Sequence, residues 1–250
     1  MKGTTRSYLS ISQIRKYMNC GMQYYYRYVE GMSEKMSSSV LRGSSVDNAA
    51  NEHFLLKAKT NKGLSQSQFV DFAVDSHNKG QDDEIYDWEK DDFKKSESKD
   101  RTSKLAETYH KDFGDKFNAS EVQVELLAVD SEGEEFKGFA DLITVDGIVV
   151  DNKVKKRNVT PDLTRDIQLV KYADMANVDK VGMAVVQDIA TPKTHYHSAD
   201  ISQNDKDRVN KRISHVKSAI KNRVFLPAPE GSWACTQKWC SFWEICEFGK

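Results

Sequence analysis

The sequence predicts an α/β fold: a mixed central sheet flanked by helices, with a helical arm before it and a cysteine-bearing cap after it. Three observations point there. Residues 10–117 run largely in helical periodicity, residues 121–155 switch to strand patterning around an Asp146-Gly147 turn, and residues 162–187 give a helix followed by an apolar strand. The 250-residue chain is 38% hydrophobic and 10% aromatic, enough to bury a sizeable core. It is read as one domain with a helical arm over 1–60, a helical insertion or lid over 61–117, the core over 118–223 and the cap over 224–250.

In chain order, residues 10–30 read as an amphipathic helix with Ile11, Ile14 and Met18 on one face and Ser10 or Ser12 as its cap. Cys20 lies near its end, ahead of Tyr24, Tyr25, Tyr26 and Tyr28. Those tyrosines are expected to form a packed aromatic seam, with stacking on nucleic-acid bases as the alternative. A second helix over 43–57 is capped by Ser44 or Ser45, buries Val46, Ala49, Ala50, His53 and Phe54, and carries Asp47 at the edge of its stripe. Residues 65–117 read as two or three helices around a solvated loop, with an acidic cluster from Asp82-Asp83-Glu84 through Asp91-Asp92. Strands follow at 121–130, 135–145 and 148–155. A helix over 162–176 begins just past Pro161, then come strands at 180–187 and 193–197 and a long basic helix over 201–223. Pro227 and Pro229 end regular structure before the cysteines.

The net charge of −1 conceals an asymmetry. Residues 1–50 carry 7 Lys/Arg against 3 Asp/Glu and residues 151–223 carry 15 against 9, while residues 51–150 carry 13 against 23. Basic end segments suit a nucleic-acid path and the acidic middle suits a surface turned away from it; solvated helix faces explain the same charges. No apolar run approaches the roughly 18 residues of a membrane span. The segment MKGTTRSYLSIS lacks the apolar stretch of a secretion signal, so a cytoplasmic location is expected. Of the four cysteines, Cys235, Cys240 and Cys246 fall within twelve residues and Cys20 lies far upstream. In a reducing compartment that pattern suits a metal or iron–sulfur site better than disulfides.

The densest chemistry lies in GFADLITVDGIVVDNK, residues 138–153. The Asp-Gly turn between two apolar runs is a hairpin signal, and it sets Asp141 beside Asp151 and Lys153. Lys153 shares a strand face with Asp151, because side chains alternate. The pair follows Ile148-Val149-Val150, where charge is costly unless it is used. Asp141, Asp151 and the backbone carbonyl of Asn152 form an oxygen set for Mg²⁺ or Mn²⁺. That chemistry suits phosphodiester hydrolysis, with Lys153 orienting water or stabilising the transition state. Lys155, Lys156 and Arg157 continue into a loop as candidate phosphate contacts or as plain solvated charges.

On these residues the chain resembles the RecB-like exonucleases of the PD-(D/E)XK superfamily. The closer likeness is to the iron–sulfur branch that includes CRISPR-adaptation nucleases, AddB-type nuclease domains and phage relatives. It runs through nearly the whole chain apart from roughly 60–118 and implies a restriction-endonuclease-like core. It also implies a first catalytic acid at Asp141, an Asp-x-Lys pair at Asp151 and Lys153, and a Gln-x-x-x-Tyr pair at Gln168 and Tyr172 that positions DNA and the lysine. Where the family has a histidine four residues after a glycine, this chain has Asp47 after Gly43. The implied site is therefore all-oxygen, which favours hard Mg²⁺ or Mn²⁺; His53 is the fallback ligand. The resemblance assigns Cys20, Cys235, Cys240 and Cys246 to a structural [4Fe–4S] cluster that clamps the chain ends. The C-x4-C-x5-C spacing and Gly21 in place of the usual proline depart from that pattern, and tetrahedral zinc is the alternative. Trp233, Trp239, Phe242 and Trp243 are expected to shield that site, with stacking of one of them on a nucleic-acid base as the alternative.

The activity implied is exonucleolytic cleavage of DNA, favouring single-stranded ends. The alternatives are a structure-specific DNA endonuclease and a catalytically silent DNA-binding recombination protein with a zinc site. The sequence carries no helicase motif, so a helicase or recombination partner is expected to supply any unwinding. Phage recombination, DNA repair, CRISPR adaptation and a homo-oligomer are all compatible with it, and the cytoplasm in question includes that of a phage-infected bacterium.

Overall fold

A computed structural model describes residues 8–89, 93–129, 133–157 and 160–249. Asp91, Asp92 and Asp130 of the expected segments lie outside the described residues. The elements are β1 (Tyr8–Leu9), α1 (Ile11–Asn19), α2 (Gly21–Tyr24), β2 (Met36–Ser37), α3 (Ser39–Thr60), α4 (Gln66–Gly80), β3 (Tyr86–Asp87) and α5 (Lys95–Phe113). They continue with β4 (Ala119–Val129), β5 (Glu135–Thr144), β6 (Ile148–Lys155), α6 (Ile167–Met175), β7 (Lys180–Gln187), β8 (Thr194–Asp200) and α7 (Gln203–Lys221). The strands of the core fall within a residue or two of the expected ranges, except that β8 runs three residues further.

The main sheet is mixed, as expected, and β5 is its hub. One edge of β5 pairs antiparallel with β4 along its length. The other edge meets β1 in parallel at Glu135 and Phe136, and meets β6 antiparallel only at Leu142 and Ile143. Beyond that point β6 leaves β5 and runs parallel to β7 from Ile148 to Lys155, with α6 as the crossover. β8 closes the far side, antiparallel to β7. A fork thus opens between β5 and β6, and backbone groups of β6 on that side are released from the ladder.

Helices cover both faces. On one, α1, α6 and α7 bury Ile14, Leu169, Val170 and Val209 against Phe136, Ala140, Val149 and Met183. On the other, α3, α4 and α5 bury Phe54, Phe69, Leu105 and Tyr109 against Leu142, Val150 and Ala184. Each fully buried large side chain contributes about 1.5–3 kcal/mol. Helix starts follow capping chemistry: Ser10 with Gln13 for α1, Asp166 for α6, and Ser202 with Asp205 for α7.

Several expectations are corrected. The helix over 10–30 is three pieces: it stops at Cys20, resumes as α2 and ends in a π-helical turn over Tyr25–Val29. A β-carbon on Gly21 would lie 2.6 Å from the Leu226 carbonyl oxygen, so the returning chain crosses there and the helix breaks around it. Met18, placed on the apolar face, is exposed. α3 begins upstream of Ser44 and Ser45; instead of capping, both hydroxyls donate back to the Leu41 carbonyl, at 3.1 and 2.7 Å. The helices of 61–117 pack on the sheet, where Phe69, Leu105, Tyr109 and Phe113 belong to the core.

The ribbon of β4 and β5 also changes face, which the alternation does not announce. Val124, Leu126 and Ala128 pack into the α1/α6/α7 layer, while Val122 and Ala119 pack into the other. Across from them, Ala140 belongs to the first layer and Leu142 to the second. The switch falls at Gln123 and Asp141, and Gln123 takes the left-handed backbone (φ 50°), unusual for a strand residue with a side chain.

Candidate active site

The fork between β5 and β6 collects the predicted acids. Asp141 comes from β5, Asp151 and Lys153 from β6, and Asp47 from the middle of α3. Asn152 stands between them: its backbone N–H donates to Asp141 Oδ2 (2.8 Å) and its side-chain Nδ2 to Asp47 Oδ1 (3.2 Å). Because N–H and C=O of one strand residue point to the same side, the Asn152 carbonyl also opens toward the fork. Asn51 Nδ2 supports the other Asp47 oxygen at 3.3 Å. The hydroxyl of Tyr109, fully inside the core, donates to Asn152 Oδ1 at 2.7 Å and fixes that amide. Lys153 Nζ sits 2.6 Å from Asp151 Oδ1, on one strand face as alternation requires.

Electrostatics make this cluster expensive without a cation. Burial, then the like charges of Asp47 and Asp151, push the Asp141 carboxyl up from 3.8 to about 8. Asp47 is raised as well, by burial first, with Asn152 and Lys153 pulling back. Burial alone would lower the Lys153 ammonium, but the fields of Asp151, Asp141 and Asp47 together carry its pKa above the usual value. Lys153 is therefore a firm cation and a poor base.

Helix α6 places the next layer. Gln168 Nε2 donates to Asp151 Oδ1 at 2.9 Å, the same oxygen that Lys153 holds. The amide cannot flip, because Arg15 Nη1 donates to Gln168 Oε1 at 2.8 Å. Arg15 Nη2 meanwhile grips both oxygens of Asp166, the cap of α6, at 2.8 and 2.9 Å. Tyr172, one turn along, lies within the fields of Asp141, Asp151 and Lys153. It is 7% exposed, lies against β5 where a β-carbon on Gly138 would come within 2.3 Å of its ring, and bonds the Phe139 backbone through its hydroxyl. That contact seats β5 on α6. Arg15, Tyr109 and Gln123, whose Nε2 lies 3.5 Å from Asp141 Oδ1, were not identified from the sequence.

The other expected residues divide. His53 faces away, with Nε2 3.1 Å from the Gly114 carbonyl and its ring among Phe54, Phe69 and His110. His195 and His197 stack on each other at 6.3 Å between centroids. Lys155 turns toward the Met183 sulfur (3.3 Å), Lys156 lines the groove that holds Asp47 and Asp141, and Arg157 is exposed. Cys20 meets the cysteine-bearing C-terminal segment. Cys20 packs with Ala228, Ala234 and Cys235. Burial raises the Cys235 and Cys240 thiols, and the neighbouring cysteines raise them further. Phe242 is buried, whereas Trp233 and Trp239 are 65% and 45% exposed. The tyrosines form the expected seam: Tyr24 and Tyr25 pack on Phe225, and Tyr26 on Phe242.

Among the described residues, no group of three His, Cys, Asp or Glu closes to metal-holding geometry. At the fork this follows from the bonds above, which draw Asp151 to Lys153 and Gln168 and draw Asp141 to Asn152. The donor set nonetheless fits a hard cation: three carboxylates whose like charges repel one another, with one carbonyl directed among them.

A mixed sheet with two acids and a lysine at the parting of two strands is the core of a metal-dependent nuclease. The chain belongs to the PD-(D/E)XK nuclease superfamily, whose description matches residues 8–247. Members of that superfamily generally use Mg²⁺ or Mn²⁺. The crystal structure of a "putative exonuclease" from Eubacterium rectale superposes with a TM-score of 0.60 at 15% identity, covering 98% of this chain and 88% of that one. The crystal structure of SSO0001 is also 15% identical, covering 96% of each chain, but its TM-score of 0.41 is too low to inform the fold. No curated protein sequence matches the chain significantly. Among the described residues, no helix is long and apolar enough to cross a membrane.

Proposed function

We propose that this chain is a divalent-metal-dependent deoxyribonuclease that hydrolyses phosphodiester bonds from DNA ends and favours single-stranded ends. The observation that carries the reading is the fork itself, where Asp47, Asp141 and Asp151 from three elements converge beside a lysine held as a cation. Exonuclease action finds support in the name of the Eubacterium rectale neighbour and in the family resemblance of the motifs.

Asp47, Asp141, Asp151 and the Asn152 carbonyl would hold Mg²⁺ or Mn²⁺, which when bound supplies positive charge against the phosphate and makes water more acidic. The chain's own groups do the positioning. Gln168 and Lys153 fix Asp151 from two sides, and Arg15 fixes Gln168. Lys153, kept protonated by its neighbours, faces the charge that builds on the phosphate oxygens as the bond breaks. Asn152 holds two carboxylates at once, one through its backbone and one through its amide.

In the cap that borders the groove, Cys240 lies near Cys20, Cys235 and Cys246, and soft thiolate donors suit an iron–sulfur cluster or zinc. We assign them a structural [4Fe–4S] cluster. Anaerobic purification with an absorption spectrum and iron and zinc assays tests this; a colourless protein with stoichiometric zinc would overturn it. For the activity, end-labelled linear DNA and a closed single-stranded circle are incubated with Mg²⁺ or Mn²⁺, and with chelator as control. Metal-dependent release of label with an intact circle is expected. A cut circle identifies an endonuclease instead, and no cleavage of either overturns the reading.

A further inference from the structure

The groove of about 450 Å³ that contains Asp47, Asp141 and Lys153 runs on to Ser37, Lys156 and the indole of Trp239. A larger cavity of about 670 Å³, lined by Lys171, Lys217 and Lys221, lies against α7 and away from these acids. We infer that Trp239 is the stacking platform that receives the terminal unpaired base of the DNA strand entering the active site. This rests on the nuclease reading and adds the residue that would make the enzyme choose single-stranded ends.

Trp239 stands at the rim of the site because the cap is tied there. Backbone bonds from Trp239 and Cys240 to the Thr236 carbonyl (3.1 and 2.9 Å) form the turn that carries it. Ser241 Oγ donates to the Lys35 carbonyl at 3.1 Å, beside β2, and Phe242 packs on Tyr26 at 5.4 Å between centroids. The groove wall is rigid as well: Asp188 is clamped by the fully buried Arg42 (3.0 Å) and by Arg101, whose guanidinium lies 3.8 Å over the Phe93 ring. Lys156 lies 5.6 Å over the same ring. An exposed indole, with Lys238 Nζ 5.1 Å over its ring, shares one groove with the hydroxyls of Ser37, Ser39 and Ser44, the Lys156 ammonium and the acids. That set of partners suits base and phosphate of one strand. A base inside a duplex has both faces covered by its neighbours, so only a terminal or unpaired base offers the indole a face.

The test is a cycle between the ring and the base. Cleavage of an end-labelled oligonucleotide is compared with cleavage of the same oligonucleotide carrying abasic terminal residues, for wild type, Trp239→Ala and Trp239→Phe. Stacking on this scale predicts that wild type prefers the base-bearing end by about tenfold in kcat/KM, largely through KM. Trp239→Ala should lose that preference and Trp239→Phe should keep most of it. Independently of any substitution, the base-bearing oligonucleotide should quench indole fluorescence and the abasic one should not. An alanine variant that keeps the wild-type preference, or equal quenching by both oligonucleotides, overturns the inference while leaving the nuclease reading intact. A wild type that cleaves neither substrate sinks both.

Discussion

The carboxylate fork and the cysteine cap each join segments far apart in the chain, but they are held in opposite ways. At the fork, strand pairing and a chain of side-chain bonds from Arg15 to Lys153 fix Asp151, while Asn152 holds Asp141 and Asp47. At the cap, residues 224–249 form only turns, fastened by an aromatic seam and a few backbone bonds. The lesson concerns where a metal acts. The fork is assembled by the fold and would use an ion for chemistry, whereas the cluster proposed for the cap would serve shape.

Removing charged groups at the fork should separate the two most sharply. Asp151→Ala, Asp141→Ala or Lys153→Ala should lower cleavage by at least about 10³-fold while circular dichroism stays that of the wild type. A parallel loss of helical signal would mean the fork is structural after all. Next comes the positioning chain: Arg15→Ala and Gln168→Ala should each cost about 10–100-fold, and the two together little more than one. Additive losses would show that Arg15 acts elsewhere.

The pH profile probes the same cluster. Asp141 holds its proton until about pH 8, so metal must displace a proton, and activity should rise with pH through that region. Raising Mg²⁺ should move the midpoint to lower pH; a midpoint indifferent to Mg²⁺ would contradict this. In stability the sign reverses. The folded carboxyl binds protons more tightly than an unfolded aspartate, so between 3.8 and about 8 the metal-free fold loses stability as pH rises. In chelator at pH 8, Asp141→Asn should therefore melt higher by roughly 2–4 °C, the shift that about 1 kcal/mol makes in a domain of this size. At the cap, Cys246→Ala should instead lower the melting temperature and admit protease to residues 224–250, with catalysis at the fork weakened less than by any fork substitution.

What the sequence discloses follows the reach of its periodicities. Asp141, Asp151 and Lys153 are legible because a period of two and an Asp-Gly turn fix a hairpin locally. Gln168 is legible through a motif spaced from that hairpin, and its contact with Asp151 follows. Tyr172 shares the motif but packs under Gly138, since four residues along a helix set a common face without fixing what that face meets. Arg15, Tyr109 and Gln123 escape because their partners lie 153, 43 and 18 residues away. The break at Cys20 escapes for the same reason: its cause is the crossing at Leu226. The sequence leaves Trp239 open between packing and base stacking, because aromatic residues beside cysteines cannot be sorted until the turn that carries them is placed in space.

The most direct measurement is the metal-dependent digestion of end-labelled single-stranded DNA by wild type beside Asp151→Asn. Progressive loss of label with Mg²⁺ or Mn²⁺, none in chelator and none with the asparagine variant, is the outcome predicted. Equal digestion by both proteins, or digestion that persists in chelator, would contradict the account.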